Sequence, residues 1–393
     1  MRGLIDRGVN VGEQEEELRR CGFGPIIDIT VVRRLMGISF LAVLDYVYEI
    51  KQPSSRFEHT IGVAYLALQV SEHLSLDDTS SRVLVISNLL HDIGHAPFSH
   101  NSEPFLLEQR GVYHQGLTTV LLRSKQASDR TKSVGEVLAE TYSDVRTAVL
   151  DLLIRKSSNN PNLVDVFFSP LSCDKVEGND RTLRHLDLES VPPMRILDCL
   201  VEKDGRAHVR RSDIEVVKKF WDLEESLYWD HIYTVDVFAA EAMITKAFRR
   251  VYNSPERVIE FINSTDEQVL STCEQDSLAT ELLERVRRRH LFTPLSEKHP
   301  ALVKRFKDKF TDVRLDSSRR SFLESEVARE LGIESDAVIS HFSRRKHFPT
   351  EMARISQEGL FDERSSLIAL EKVNQAFAAQ KIPADFFDIF CAE

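Results

Sequence analysis

Leu89-Leu90-His91-Asp92-Ile93-Gly94-His95-Ala96-Pro97-Phe98-Ser99-His100 places three histidines and a carboxylate within the positions from 91 to 100. The residues leading into it, Val83, Val85, Ile86, Leu89 and Leu90, recur at helical spacing. That predicts a buried helix whose last turn carries His91 and Asp92 and which Gly94 and Pro97 stop. Upstream, Ser55-Arg56-Phe57-Glu58-His59-Thr60-Ile61-Gly62 opens a second predicted helix, with Val63, Leu66 and Val70 as its apolar face, His59 in its first turn and an N-cap at Ser54 or Ser55. Downstream, Cys173-Asp174-Lys175 sets a carboxylate at the start of a third. A single buried histidine is usually one satisfied by hydrogen bonds. The ordered set His59, His91, Asp92, Asp174 points instead to one bound metal ion.

This order, His…His-Asp…Asp, resembles the signature of the HD phosphohydrolase superfamily. The spelling Arg-Phe-Glu-His with His-Asp-Ile-Gly-His-Ala-Pro-Phe-Ser-His narrows the resemblance to the branch of the SAM-and-HD-domain dNTP triphosphohydrolases and their bacterial relatives. It implies a mainly α fold, an HD-domain helical bundle with a small β-hairpin and a smaller α/β C-terminal region. The expected divisions are a loosely held polar lead-in over residues 1–24, an HD domain over 25–254, and a C-terminal α/β region over 255–393 for packing or oligomer contacts. The resemblance also gives His95, His100 and His114 places in the active site, His95 and His100 in catalysis or phosphate contact. Read without it, His114 is a surface histidine at a helix start.

With 42% hydrophobic and 29% charged residues over 393 positions, the chain has the composition of a globular protein large enough for one large unit and a smaller one. A formal charge of −11 disfavours a surface built for non-specific nucleic-acid binding. Cys21, Cys173, Cys199, Cys273 and Cys391 are scattered without CxxC pairing, which reads as reduced thiols. The N-terminus has neither signal nor transit character, and no apolar run of about 18 residues could span a bilayer. A cytoplasmic protein without membrane association is expected.

Along the chain, apolar spacing predicts a helix from Ile29 to Leu44, helical sequence over 133–157, and a helix from Asp174 to Leu186. A hairpin is expected from Met194–Leu200 and Ala207–Arg210 around Lys203-Asp204-Gly205. Helices follow over 212–228 and 235–251. The last hundred residues mix helices with strand-like pieces such as Phe306–Val313 and Asp336–Phe342.

Two imidazoles and two carboxylates suit Mn²⁺, Fe²⁺, Co²⁺ or Zn²⁺ and, less well, Mg²⁺. Four protein ligands on an octahedral ion leave positions for a water and a phosphoryl oxygen. Arg56 lies near His59 on the helix and Lys175 adjoins Asp174, so both are candidate phosphate clamps, with Arg181 a third. The plainer reading of Arg56 is an ion pair with Glu58 or Asp92. His95, within one turn of Asp92, could shuttle a proton to a leaving group.

The segment after Asp174 departs from the resembled enzymes. Gly178 stands where they carry a sugar-contacting tyrosine, Thr182 replaces an aspartate, and Leu223-Glu224-Glu225-Ser226-Leu227-Tyr228 lies where a phosphate-binding arginine is expected. A preserved ligand set with an altered grip predicts a metal-dependent phosphohydrolase on nucleotides, dNTP triphosphohydrolase-like with broadened or shifted selectivity, working as a homo-oligomer, dimer or tetramer. The alternatives are a nuclease or phosphodiesterase on single-stranded nucleic acid, to which the basic run Arg285–His290 would contribute, and a nucleotide-sensing module with little turnover.

Overall fold

The computed structural model describes residues 10–124, 132–310, 317–345, 367–369 and 384–392. It is mainly helical, with two small three-stranded sheets among the described residues. The Arg56–His73 and Asp78–Leu90 helices lie side by side at the centre, and the Cys173–His185 helix packs across the first of them. Ile61, Val63, Ile86, Leu89 and Val176 belong to the hydrophobic core this creates. A second core gathers Val43, Phe98, Phe105, Met243, Phe248, Phe261 and Leu282 around the Val235–Val251 helix. The His-Asp turn runs from one core to the other: Ile93 is buried in the first, Ala96 and Phe98 in the second.

Three expectations are corrected. The polar lead-in is helical over Val11–Arg20, closed by an Asn10–Glu13 capping box, and fully buries Leu18 against the Arg56–His73 helix. One leucine in an acidic stretch was too weak a periodic signal to reveal it, and residues 1–9 lie outside the described residues. The Ile29–Leu44 helix is broken into Thr30–Arg34, a 3₁₀ turn at Leu35–Gly37 and a further helix at Val43–Val47. The cause is tertiary. Asp266 accepts from the Ser39 backbone N at 2.9 Å, from Ser39 Oγ at 2.5 Å and from the Phe98 N at 2.8 Å, which draws residues 38–42 out of helical geometry and against the His-Asp turn. The third is the strand expected at Phe306, where Pro300–Phe310 is helical and residues 311–313 lie outside the described residues.

The hairpin pairs β1 (Leu200–Lys203) with β2 (Arg206–Arg210), Lys203 opposite Arg206, with Asp204 and Gly205 both at positive φ as a type I′ turn demands. Its first strand is shorter than expected because Pro193 starts a short helix, Pro193–Leu197. In the C-terminal region β3 (Thr293–Pro294) and β4 (Val338–Arg345) flank β6 (Ala384–Cys391), and β5 (Leu367–Ala369) adds to β2. No helix among the described residues is long and apolar enough to cross a membrane.

Candidate metal centre and substrate cleft

Ser55 caps the Arg56–His73 helix in a capping box with Glu58, which puts His59 in the first turn, 1% exposed. Its Nδ1 lies 2.5 Å from Glu177 Oε2 and its Nε2 3.1 Å from Asp174 Oδ1. The other Glu177 oxygen accepts from Arg181 Nε at 2.8 Å. Gly62 makes room for this arrangement, since a Cβ there would overlap the Glu177 carboxylate. A carboxylate on Nδ1 fixes the tautomer that leaves the Nε2 lone pair facing outward, as metal-binding histidines require.

His91 is built the same way. Its Nδ1 meets the Asn88 carbonyl at 2.6 Å, while its Nε2 is buried without a hydrogen-bond partner, 3.3 Å from Asp92 Oδ1 and 3.5 Å from Asp174 Oδ1. Asp92 Oδ2 is 3.6 Å from His59 Nε2. The structure thus brings His59, His91, Asp92 and Asp174 together. Burial opposes charge on His91, but Asp92 and Asp174 outweigh it and raise its pKa to about 9. Enclosure likewise opposes the Asp174 charge, yet the His59 and His91 rings hold this carboxyl well below its usual range. Two outward imidazole nitrogens and anionic carboxylates at these separations fit a divalent cation, and His59, His91 and Asp174 are spaced to share one.

Behind this cluster stand the other histidines. His95 and His114 stack at 4.0 Å, and His100 meets His95 edge-on at 4.7 Å. Glu103 hydrogen-bonds His114 Nδ1 and lies 3.4 Å from His100 Nδ1. Gly94 permits the approach: a Cβ there would overlap the His114 carbonyl. His95 Nε2 is 3.4 Å from Asp92 Oδ1, so Asp92 touches both groups. Burial, then the neighbouring His114 and Arg56, push the His95 pKa well below its usual value, which keeps that ring neutral.

A cleft of about 310 Å³ opens over the cluster, lined by Arg56, His59, Asp174, His100 and Glu103 on the histidine side. Of the three predicted catalytic histidines it is His100 that faces this space, its side chain 53% exposed, while His95 and His114 lie behind it. Although Gly178 stands where a tyrosine is expected, the site keeps an aromatic wall. Gly178 does line the cleft, but Phe40, Tyr228, Tyr233 and Phe238 line it too. Tyr228 is delivered by a π-helical turn, Leu227–Ile232, a distortion that apolar periodicity does not announce.

The predicted clamp is also changed. Arg56 lines the cleft, but its guanidinium donates to Asp92 Oδ2 at 3.1 Å, Ser99 Oγ at 3.2 Å and the Phe40 carbonyl at 3.1 Å. Lys175 lines it with Nζ 3.1 Å from the buried Glu224. Arg181 does not reach it, being spent on Glu177 and the Glu58 carbonyl. The Arg285–His290 run pairs Arg285 with Glu281, Arg287 with Glu284 and Arg289 with Glu49, and none of these arginines lines the cleft.

Sequence reasoning missed Glu177, Glu103, Asn179 and Glu241. Glu177 sits one turn after Asp174, where a second carboxylate is a usable signal for a residue behind a ligand. Asn179 lines the cleft with its Nδ2 buried and without a hydrogen-bond partner.

The chain carries an HD domain over residues 56–167, the stretch that holds His59, His91 and Asp92, followed by an HD associated region over residues 226–378. It is distantly homologous to dNTP triphosphohydrolases. It is 24% identical over 301 residues to the deoxynucleoside triphosphate triphosphohydrolase SAMHD1 homolog of Dictyostelium discoideum, covering 69% of this chain and 56% of that one. It is 25% identical over 344 residues to the deoxynucleoside triphosphate triphosphohydrolase SAMHD1 of Xenopus laevis, covering 70% and 53%. The chain thus spans about half the length of these curated relatives. A phosphohydrolase structure from Bacteroides thetaiotaomicron shares the fold, with a TM-score of 0.65 at 16% identity over 94% of both chains.

Proposed function

We propose that this chain is a metal-dependent phosphohydrolase acting on nucleotides, related to the dNTP triphosphohydrolases but with shifted selectivity. The observation that carries the reading is the convergence of His59 Nε2, the unpartnered His91 Nε2 and the Asp92 and Asp174 carboxylates at the floor of a cleft of nucleotide size. A divalent ion held there by His59, His91, Asp92 and Asp174 would supply Lewis acidity for attack of water on phosphorus. In this reading His100, which faces the cleft, would give a proton to the leaving oxygen, and Glu103 would stabilise the positive charge that passes through His100 and His114. His95 orients Asp92 from behind.

The selectivity argument is electrostatic. Arg56 and Lys175 line the cleft against Glu103, Asp174, Glu224 and Glu241, and both cations are engaged with protein carboxylates. A triphosphate wants charge-assisted partners for each phosphate. This cleft favours substrates of lower phosphate charge, and Gly178, packed against Phe40 and His59, offers no side chain of its own to reject a 2′-hydroxyl, which favours loose discrimination at the sugar. Hydrolysis of dNTPs, NTPs, nucleoside monophosphates and short oligonucleotides with Mn²⁺, Mg²⁺, Co²⁺ and Zn²⁺ tests the reading. Metal-dependent release of phosphate or a polyphosphate from several of these is expected. A dNTP preference over NTP of about 10³-fold or more would overturn the selectivity argument. Tight nucleotide binding without turnover in every metal would make the chain a sensor instead.

A further inference from the structure

We propose that Glu241 reads the nucleobase and makes the cleft selective for guanine; the inference rests on the nucleotide reading above and names the base. Glu241 lies on the Val235–Val251 helix, 5% exposed, among the apolar side chains of the second core. A carboxylate so enclosed is costly unless polar partners meet it. Among the described residues its ionic partner is His341 on β4, whose Nε2 is 3.4 Å from Glu241 Oε2, beyond a good hydrogen bond. His341 is itself 1% exposed, and neither of its ring nitrogens has a hydrogen-bond partner. The pair is held short of closure, and Glu241 lines the cleft instead of being sealed beneath it.

The surroundings define what would meet that carboxylate. Val237 and Phe238 share the helix face with Glu241 at the preceding turn, and Tyr228 and Tyr233 line the same cleft. Flat aromatic and apolar walls accept a planar ring, and a carboxylate at its edge accepts hydrogen bonds and donates none. Its two oxygens match two adjacent N–H donors. Guanine offers such an edge, N1–H beside the 2-amino group; adenine and cytosine present one amino group, and uracil and thymine one ring N–H. With the base on Glu241, the phosphate of the same molecule is left for the cluster of His59, His91 and Asp174, whose members His59 and Asp174 line this cleft.

The test compares guanine, hypoxanthine and adenine nucleotides matched in sugar and phosphate: dGTP, dITP and dATP, and GMP, IMP and AMP. Wild type should favour guanine by about 10- to 100-fold in kcat/KM, mostly through KM, because hypoxanthine lacks only the 2-amino group. Glu241→Gln should bring that ratio below about threefold, and Glu241→Asp should retain part of it. An unchanged ratio in Glu241→Gln, or equal kcat/KM for guanine and hypoxanthine in wild type, overturns the proposal. Binding of guanosine, inosine and adenosine to wild-type protein by equilibrium dialysis needs neither turnover nor a foldable variant. Tighter guanosine supports the base reading even if no nucleotide is hydrolysed, which would sink only the hydrolase; equal binding of the three nucleosides sinks the base reading even if hydrolysis is found.

Discussion

His59 and His91 reach the same point by one device: an acceptor on Nδ1, Glu177 for one and the Asn88 carbonyl for the other, leaves Nε2 to face the carboxylates. In the metal-free protein the raised pKa of His91, about 9, means that a proton occupies the place an ion would take at neutral pH. Metal uptake must then expel at least one proton, and because burial of His59 is outweighed by Glu177 and Asp174, which raise its pKa as well, apparent affinity should climb by at least about tenfold per pH unit below about pH 9. Titration calorimetry at pH 7 in buffers of different ionisation enthalpy reads the released proton directly; none released contradicts the assignment. Asp174→Ala and His91→Ala should remove bound metal. By contrast, His100→Ala should keep its metal and lose about 10²–10⁴-fold in turnover, as removal of a proton donor does. Metal lost from His100→Ala would mean that His100 is a ligand.

At the scale of elements, the helices that carry the ligands were legible because each has a signal in its own sequence: the Ser55 cap, the apolar spacing from Val83 to Leu90, and the Cys173-Asp174-Lys175 start. What was not legible came from partners distant in sequence. The break after Gly37 depends on Asp266, and the π turn that delivers Tyr228 has no periodic mark. The Val43–Val47 helix carries a further non-local effect. Asp45 Oδ1 is buried without a hydrogen-bond partner, and burial, with the nearby Asp266 charge, raises its pKa to about 7. A carboxyl whose folded pKa exceeds its unfolded value favours the folded state fully below about pH 4, and that contribution is lost as the pH rises through about 7. Asp45→Asn should therefore be more stable than wild type by about 2–4 kcal/mol at pH 8, and no more stable at pH 4. Urea midpoints at the two pH values measure this, and an equal effect at both would refute it.

Across the whole molecule, polar contacts tie the second core to the C-terminal strands. Lys246 is the clearest, donating to the Ser335, Asp336 and Val338 carbonyls at 3.2, 3.1 and 2.8 Å and so holding β4 against the Val235–Val251 helix. Lys246→Met would leave the part-buried Val338 carbonyl without its donor and should cost about 1–2 kcal/mol. Limited proteolysis should then cut between residues 335 and 345 well before global unfolding, and a variant as resistant as wild type would show that the tie is dispensable. Two properties are also separated along the chain. Every proposed ligand to the ion lies between residues 59 and 174, whereas one stretch of the cleft wall, with Glu224, Tyr228, Tyr233, Phe238 and Glu241, comes from residues 224 to 241, with His341 behind Glu241. A gene so arranged can be retargeted piecemeal. Substitutions confined to that second-half stretch of wall would change which compound is recognised while leaving the hydrolytic machinery untouched, so drift there could alter a lineage's diet without touching its chemistry.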